Sequence, residues 1–555
     1  MNVQASIFSR KYHFSIRVFA TLVVVASLLF AGCFTDIAPS SYYGKVVVPR
    51  AQEFRWSDGG LPQTFDPAFA AAPPDTDAVR ALFEGLTEYD PVTLAPVPAV
   101  ATRWESSPDA RVWTFYLRED AKWSNGENVT AADFVRSWQR TLKIGPLAPH
   151  TDLLSNIEGS GANPAPPKAE KQIRSIPTFG AEAVSDHVLR VRLHESDAAF
   201  PALVAHPVFR PVKVLDANTI SRLDADHLVS NGAFQLSGKD GDRVLLERAN
   251  TYWDGASVSL QRVSFIGGSD AEDALAAYRT GDVDAVTNAA FEPLALKLLS
   301  GYKDFRRSTF GALTYYTFNT SRAPFDDVRI RQALAMAIDR ERVSQDHLGG
   351  ATEAAGKFFP EEMSGEKPVV NQDELIEQDI MKARALLAEA GFPDGAGFPT
   401  IRLLINRNDQ QRIVAQAIAA MWRSVLGVDT EVVIKNWDEY EIAVKAGDYD
   451  LVRRGMVMQT TDELTNLRML FEREALPVVA NSVASPLKQG EIGKTEAPVV
   501  TSENEALKEL RAVPIYFASS FALVKPYVNG FSGNVLDAPS LKRTRINTGW
   551  TERQP

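Results

Sequence analysis

Trp113-Thr-Phe-Tyr-Leu-Arg-Glu-Asp-Ala-Lys-Trp-Ser-Asn-Gly126, followed three residues on by Val129-Thr-Ala-Ala-Asp-Phe-Val135, is the stretch from which the fold of this 555-residue chain is read. Trp113, Phe115 and Leu117 recur at every second position, as in a strand with one face buried. Thr130, with Asp133 three residues later, makes a capping-box start. Phe134, Val135, Trp138 and Leu142 then share one face of the helix it opens. The same alternation of strand and amphipathic helix runs from about Gln52 to the C-terminus. Pro324 and Asp326 precede a helix striped by Ile330, Leu334, Ala337 and Ile338, and Asp373 opens another with Ile376, Ile380, Ala383 and Leu387 that Gly391 ends. The expected class is therefore α/β, with no internal repeat. Residues 159–170 read as a surface loop from their Gly, Ala and Pro content, and residues 472–503 have no period that assigns them.

The N-terminus indicates where the chain works. Arg10, Lys11 and Arg17 lead into an uncharged apolar run, Val18 to Gly32, and no acidic residue precedes Cys33. This is the layout of an export signal. A run of about 15 residues falls short of the roughly 20 that cross a membrane, which makes a spanning helix with a buried cysteine the weaker alternative. Phe30-Ala31-Gly32-Cys33 looks like the lipobox of bacterial lipoproteins. That reading makes residues 1–32 the signal peptide, Cys33 the lipidated residue and 33–50 a tether, with Phe34 a hint of outer-membrane sorting where the source has two membranes. Cys33 is also the only cysteine, so no intramolecular disulfide forms.

Loss of residues 1–32 removes three positive charges and moves the formal net charge from −11 to −14, which argues against a nucleic-acid partner. The remaining 523 residues exceed what one core organises, so two or three lobes are expected. With 45% hydrophobic residues and no second long apolar run, the exported part reads as a globular protein on a tether, expected to be monomeric.

Catalytic motifs fail on inspection. Ser485-Pro-Leu-Lys488 has the Ser-x-x-Lys spacing, but Pro486 hinders the helix that brings the two side chains together. Gly493-Lys494-Thr495 ends like a phosphate-binding loop, yet Lys488 stands where its first glycine belongs. The seven histidines are scattered, without His-x-x-x-His or a cysteine pair, so neither metal nor cofactor is expected. His194 with Glu195, and Asp240 with Asp242, read as solvated surface groups. An enzyme is not expected.

One ordered set of blocks carries a resemblance. Leu82-Phe-Glu-Gly-Leu-Thr-Glu-Tyr-Asp-Pro91, Trp104-Glu105, the 113–126 and 129–135 stretches, Asn231-Gly-Ala-Phe234, Tyr252-Trp-Asp254, Phe318-Asn319 with Pro324-Phe-Asp-Asp-Val-Arg-Ile-Arg331, Ala383-Arg-Ala-Leu-Leu-Ala-Glu-Ala-Gly-Phe392, and Val513-Pro-Ile-Tyr-Phe with Leu523-Val-Lys-Pro-Tyr-Val-Asn-Gly-Phe531 occur in sequence. Together, over roughly residues 52 to 545, they resemble the oligopeptide-binding proteins of ABC importers, extracellular solute-binding protein family 5.

The resemblance implies a periplasmic-binding-protein-like two-lobed clamp of class II with an additional domain. It places a discontinuous lobe I at 45–83, 206–311 and 519–555, the additional domain at 84–205 and lobe III at 312–518. Short peptides would lie between the lobes, and the expected partners are an ABC permease and, through Cys33, a membrane.

A peptide brings backbone groups into a dry cleft, so the site must offer strand-like backbone partners and roomy pockets. The matching positions here are Ala71, Ala72 and Pro73, then Thr287 and Asn288, Tyr315 and Tyr316, Asn406 and Asp409, Trp437, and Arg453 as partner for a peptide carboxylate. Core packing is the alternative for Tyr315, Tyr316 and Trp437, plain exposure for Arg453, and an ordinary loop for 71–73. The family's tryptophan and its amine-binding aspartate fall on Met456 and Gln459, and Asp462 is the carboxylate available if the loop is shifted. A sensor or interaction protein of the same fold, with another ligand or none, is the alternative this departure supports.

Overall fold

The computed structural model describes residues 41–161, 179–214, 218, 220–268, 270–364, 375–471, 500 and 502–552. Its main sheet is built from β1 (Glu53–Asp58), β2 (Phe234–Asp240), β3 (Arg243–Arg248), β4 (Arg262–Ile266), β5 (Ala285–Thr287), β6 (Phe305–Phe318), β7 (Ile401–Asn406), β8 (Thr430–Lys435), β9 (Leu451–Val457) and β10 (Ala512–Val524). The order across the sheet is β8-β7-β9-β6-β10-β5-β1-β4-β3-β2, with a short strand, Thr352–Ala354, also paired to β10. Strands from both chain ends and the middle thus sit side by side.

Two strands join the halves. β6 has 14 residues and β10 has 13, long enough to span about 45 Å. They pair antiparallel, but their register slips between Thr309 and Leu313 and again between Thr314 and Tyr315. At the first slip Gly311 leaves β10: its N–H donates to the Val535 carbonyl (2.7 Å) and its carbonyl accepts from the Met458 N–H (2.8 Å). A Cβ at Gly311 would stand 2.9 Å from that Val535 oxygen, so only glycine lets the three backbones meet here.

A second sheet lies outside this path, ordered 101–106, 112–117, 188–192, 181–185. Trp113, Phe115 and Leu117 are buried as their alternation predicts. The following helix spans Ala131–Ile144, and Thr130 and Asp133 form the expected reciprocal capping box. Its Trp138 does not stay within its own sheet. The indole meets the Phe209 ring edge-on at 5.4 Å, and its Nε1–H donates to the Phe209 carbonyl at 2.8 Å. As a result residues 84–205 share one apolar core with the chain on either side, running from Phe54 and Trp56 through Phe115 and Trp138 to Phe265 and Tyr527. A buried ion pair, Asp66 to Arg140 at 2.6 and 3.0 Å, ties the same parts together. The boundaries expected at 83/84 and 205/206 fall inside this core. A separate core fills the other half around Tyr316, Leu334, Ile405 and Trp422.

Some expectations need correction. The helix read from Asp373 begins at Ile380 and is capped by the Asp379 carboxylate, which accepts from the Lys382 N–H; Ile376 is buried ahead of it, and Asp373 lies outside the described residues. The helix carrying Ile330 and Leu334 is Val328–Met336, so Ala337 and Ile338 are buried just past its end. The tether does not extend to residue 50. The Tyr43 N–H donates to Asp304 (2.9 Å), its ring stacks on Tyr278 and meets Tyr302 edge-on, and the Lys45 N–H donates to the Arg279 carbonyl, so this segment is docked on the folded protein. Cys33, Ser485, Lys488 and Gly493 to Thr495 lie outside the described residues, as does most of 159–170 and of 472–503.

Candidate functional site

β9 has one satisfied edge and one open edge. It pairs with β6 from Leu451 to Val457, and the bonds from Met458 N–H to Gly311 and from Asn319 N–H to Asp450 fix the alternation. Residues 452, 454 and 456 therefore bond to β6, while the backbone groups of 453, 455 and 457 face the other side. On that side β7 pairs only with Leu451 and Val452. Among the described residues, no strand pairs with β9 beyond Val452 on this edge, which leaves Gly455 and Val457 as backbone partners for an added strand.

Side chains gather along this edge. Arg453 reaches the Thr314 hydroxyl at 3.4 Å, and among the described residues its Nε has no partner and the guanidinium no carboxylate. Its guanidinium lies over Gly455, where a Cβ would come within 3.2 Å of it. Trp437, 60% exposed at the start of the helix Trp437–Lys445, stacks on Tyr440 (5.5 Å), and the Tyr440 hydroxyl donates to the Arg453 carbonyl. Asn406 ends β7 with a buried Oδ1 that has no partner among the described residues. Asp409 is fully solvated and pairs with Arg412 in the next turn of its own helix, so it forms no pocket wall.

The far end of the edge meets the rest of the molecule through residues that sequence reading did not find. His206 is buried; its Nδ1 accepts from the Val208 N–H (3.2 Å) and its Nε2 lies 3.1 Å from the Gln459 Oε1. The Gln459 Nε2 in turn donates to the Val457 carbonyl at 3.2 Å. His150 packs edge-on against His206 (4.9 Å), with its Nε2 3.0 Å from the Ala71 carbonyl. Ala71 and Ala72 are exposed and Pro73 half-buried just before the helix Asp75–Leu82, so the 71–73 loop is linked through two imidazoles to Gln459 on the opposite half. Burial pushes the His206 imidazole well below its ordinary range, and His150, Arg80 and Arg210 push the same way. No spacing signal pointed to these histidines, which are 56 residues apart in the chain.

Thr287 and Asn288 line a cavity of about 130 Å³ at the strand crossing, together with Arg306, Ser520, Phe531 and Asp537. Both donate to the Asp58 carboxylate, at 2.7 and 2.6 Å. Burial raises the pKa of Asp58, of its neighbour Asp77 and of Asp537.

Two sets of expected ligand contacts are corrected. Tyr315 and Tyr316 are consecutive on β6 and point to opposite faces, each into an apolar core, so they support the crossing strand and do not line the open edge. Asp462 does not stand in for the missing aspartate. Its Oδ2 accepts from the Thr465 N–H (2.9 Å) and hydroxyl, which caps the helix Glu463–Phe471. Nor is Glu195 merely solvated: it pairs with Arg468 across the two halves. Among the described residues there is no cluster able to hold a metal ion, and no helix is long and apolar enough to cross a membrane.

The profile of the bacterial extracellular solute-binding proteins, family 5 Middle, matches residues 95–475. The chain belongs to this family. Its members bind solutes for transport and are not enzymes. The periplasmic oligopeptide-binding protein OppA of Salmonella typhimurium is 30% identical over 91% of this chain and 96% of its own length. The probable deoxycholate-binding periplasmic protein YgiS of Escherichia coli is 29% identical over 86% of this chain and 90% of its own. The unliganded open form of the periplasmic murein tripeptide binding protein MppA is 28% identical and superposes with a TM-score of 0.74 over 90% of this chain and 98% of that one. A second MppA structure from Escherichia coli, at the same identity, reaches only 0.62.

Proposed function

We propose that this protein captures short peptides along the open edge of β9 and delivers them to an ABC permease, held at the membrane by a lipid on Cys33. The observation that carries the reading is the strand edge itself: outward backbone groups at Gly455 and Val457, flanked by an arginine with no carboxylate partner among the described residues. Backbone pairing gives affinity without demanding a sequence, and Arg453 supplies a charge-assisted contact for a peptide carboxylate. In this reading 45–83, 206–311 and 519–555 form one lobe, 84–205 the additional domain and 312–518 the other lobe, and the slipped register of β6 and β10 near residue 311 is the hinge. Closure is favoured because only the closed form contacts ligand from both sides.

A second reading, a same-fold sensor or interaction protein with another ligand or none, is favoured by Gln459 and by the relative named for deoxycholate. Native mass spectrometry of the purified protein, followed by titration with a pool of tri- to pentapeptides, separates the two. A co-purifying peptide or a thermal shift with the pool supports the first; an empty protein with no shift overturns it. Cys33→Ser should release the chain from the membrane fraction.

A further inference from the structure

The three hydrogen bonds around Gln459 have one consistent direction. The Val208 N–H can only donate, so the His206 Nδ1 accepts and the proton of the neutral ring sits on Nε2. That proton goes to the Gln459 Oε1, and the amide N–H of Gln459 goes to the Val457 carbonyl. Every group in this relay is uncharged. Arg80 and Arg210 act on His206 as positive charges, and their side chains contact Asp77 at 2.9 Å and Glu88 at 2.7 Å. Asp462, the carboxylate nearest in sequence, is committed to capping a helix.

We propose that this end of the β9 edge receives an uncharged, hydrogen-bonding group, so that the protein selects peptides with a blocked amino terminus, such as N-acyl peptides, whose free carboxylate meets Arg453. The inference rests on the reading of β9 as the peptide-binding edge. An ammonium lodged beside Gln459 gives up its hydration and meets neutral dipoles, with no free carboxylate among the described residues of this relay to repay the loss. An acyl amide suits the site, because its carbonyl accepts the second Nε2–H of Gln459 and its N–H finds the free lone pair of Oε1. Val457, 45% exposed, offers an apolar surface beside it for a short acyl chain.

The test uses the purified full chain and two ligand pools: tri- to pentapeptides with free amino termini, and the same pool after N-acetylation, both titrated by calorimetry. The acetylated pool is expected to bind at least about tenfold more tightly. Equal or tighter binding of the free pool overturns this inference while leaving the peptide reading intact. No binding of either pool overturns both. Gln459→Asp should reverse the preference, and Gln459→Ala, which adds no charge, should weaken only the acetylated pool. An unchanged preference in both variants also overturns the inference, and the wild-type comparison remains decisive if either variant fails to fold.

Discussion

Replacing Asp197 by asparagine should change how stability depends on pH. Asp197 is buried where residues 195–199 meet the Asp462 segment; its Oδ1 accepts from the Ala199 N–H at 2.9 Å. Burial, and after it the Asp462 charge, raises its pKa to about 7 from 3.8. Between about pH 4 and 7 the folded chain therefore holds a proton that the unfolded chain has released. The stabilising contribution is complete below about pH 4 and is lost as pH rises through about 7. A shift of this size corresponds to an upper figure of about 4 kcal/mol across the window, since each unit is worth about 1.4 kcal/mol. Asp197→Asn keeps the acceptor for Ala199 and never ionises. Urea denaturation of both proteins at pH 5, 7 and 8.5 reads the difference directly, with other titrating groups cancelling in the comparison. The variant should exceed wild type by about 1–2 kcal/mol at pH 5 and by about 4 kcal/mol at pH 8.5, with the two converging below about pH 4. Parallel pH profiles for the two proteins would refute the reasoning.

Arg140→Ala leaves Asp66 buried without its cation and should cost about 3–5 kcal/mol, read as a lowered thermal midpoint. Arg453→Ala should weaken peptides with a free carboxylate by about 10- to 100-fold in calorimetry and leave their C-terminal amides nearly unaffected. Asp462→Ala removes a helix cap and should cost about 1 kcal/mol in denaturation, with peptide affinity unchanged; a large loss of affinity would show that its carboxylate faces the ligand after all.

Local pattern was enough for much of the fold. The Trp113–Phe115–Leu117 alternation and the Thr130–Asp133 box depend on neighbours within four residues, and both are found as read. Helix starts were less legible where competing caps lie close together, as Asp379 prevails over a start at Asp373. The positions of Arg453 on β9, and of Gln459 two residues past its end, were legible because a strand fixes spacing along itself. Tyr315 and Tyr316 were not, because the side of β6 that each faces depends on which sheets and helices cover it.

By itself, then, the sequence determined the α/β class, the kinship and the residue types along β9, all of which follow from local periodicity and ordered motifs. Tertiary structure alone decided that Trp138 would join residues 84–205 to the main core, that Asp462 would cap a helix, and that His150 and His206 would bridge Ala71 to Gln459. Each of these depends on groups far apart in the chain finding one another in three dimensions, and no local spacing records such an encounter.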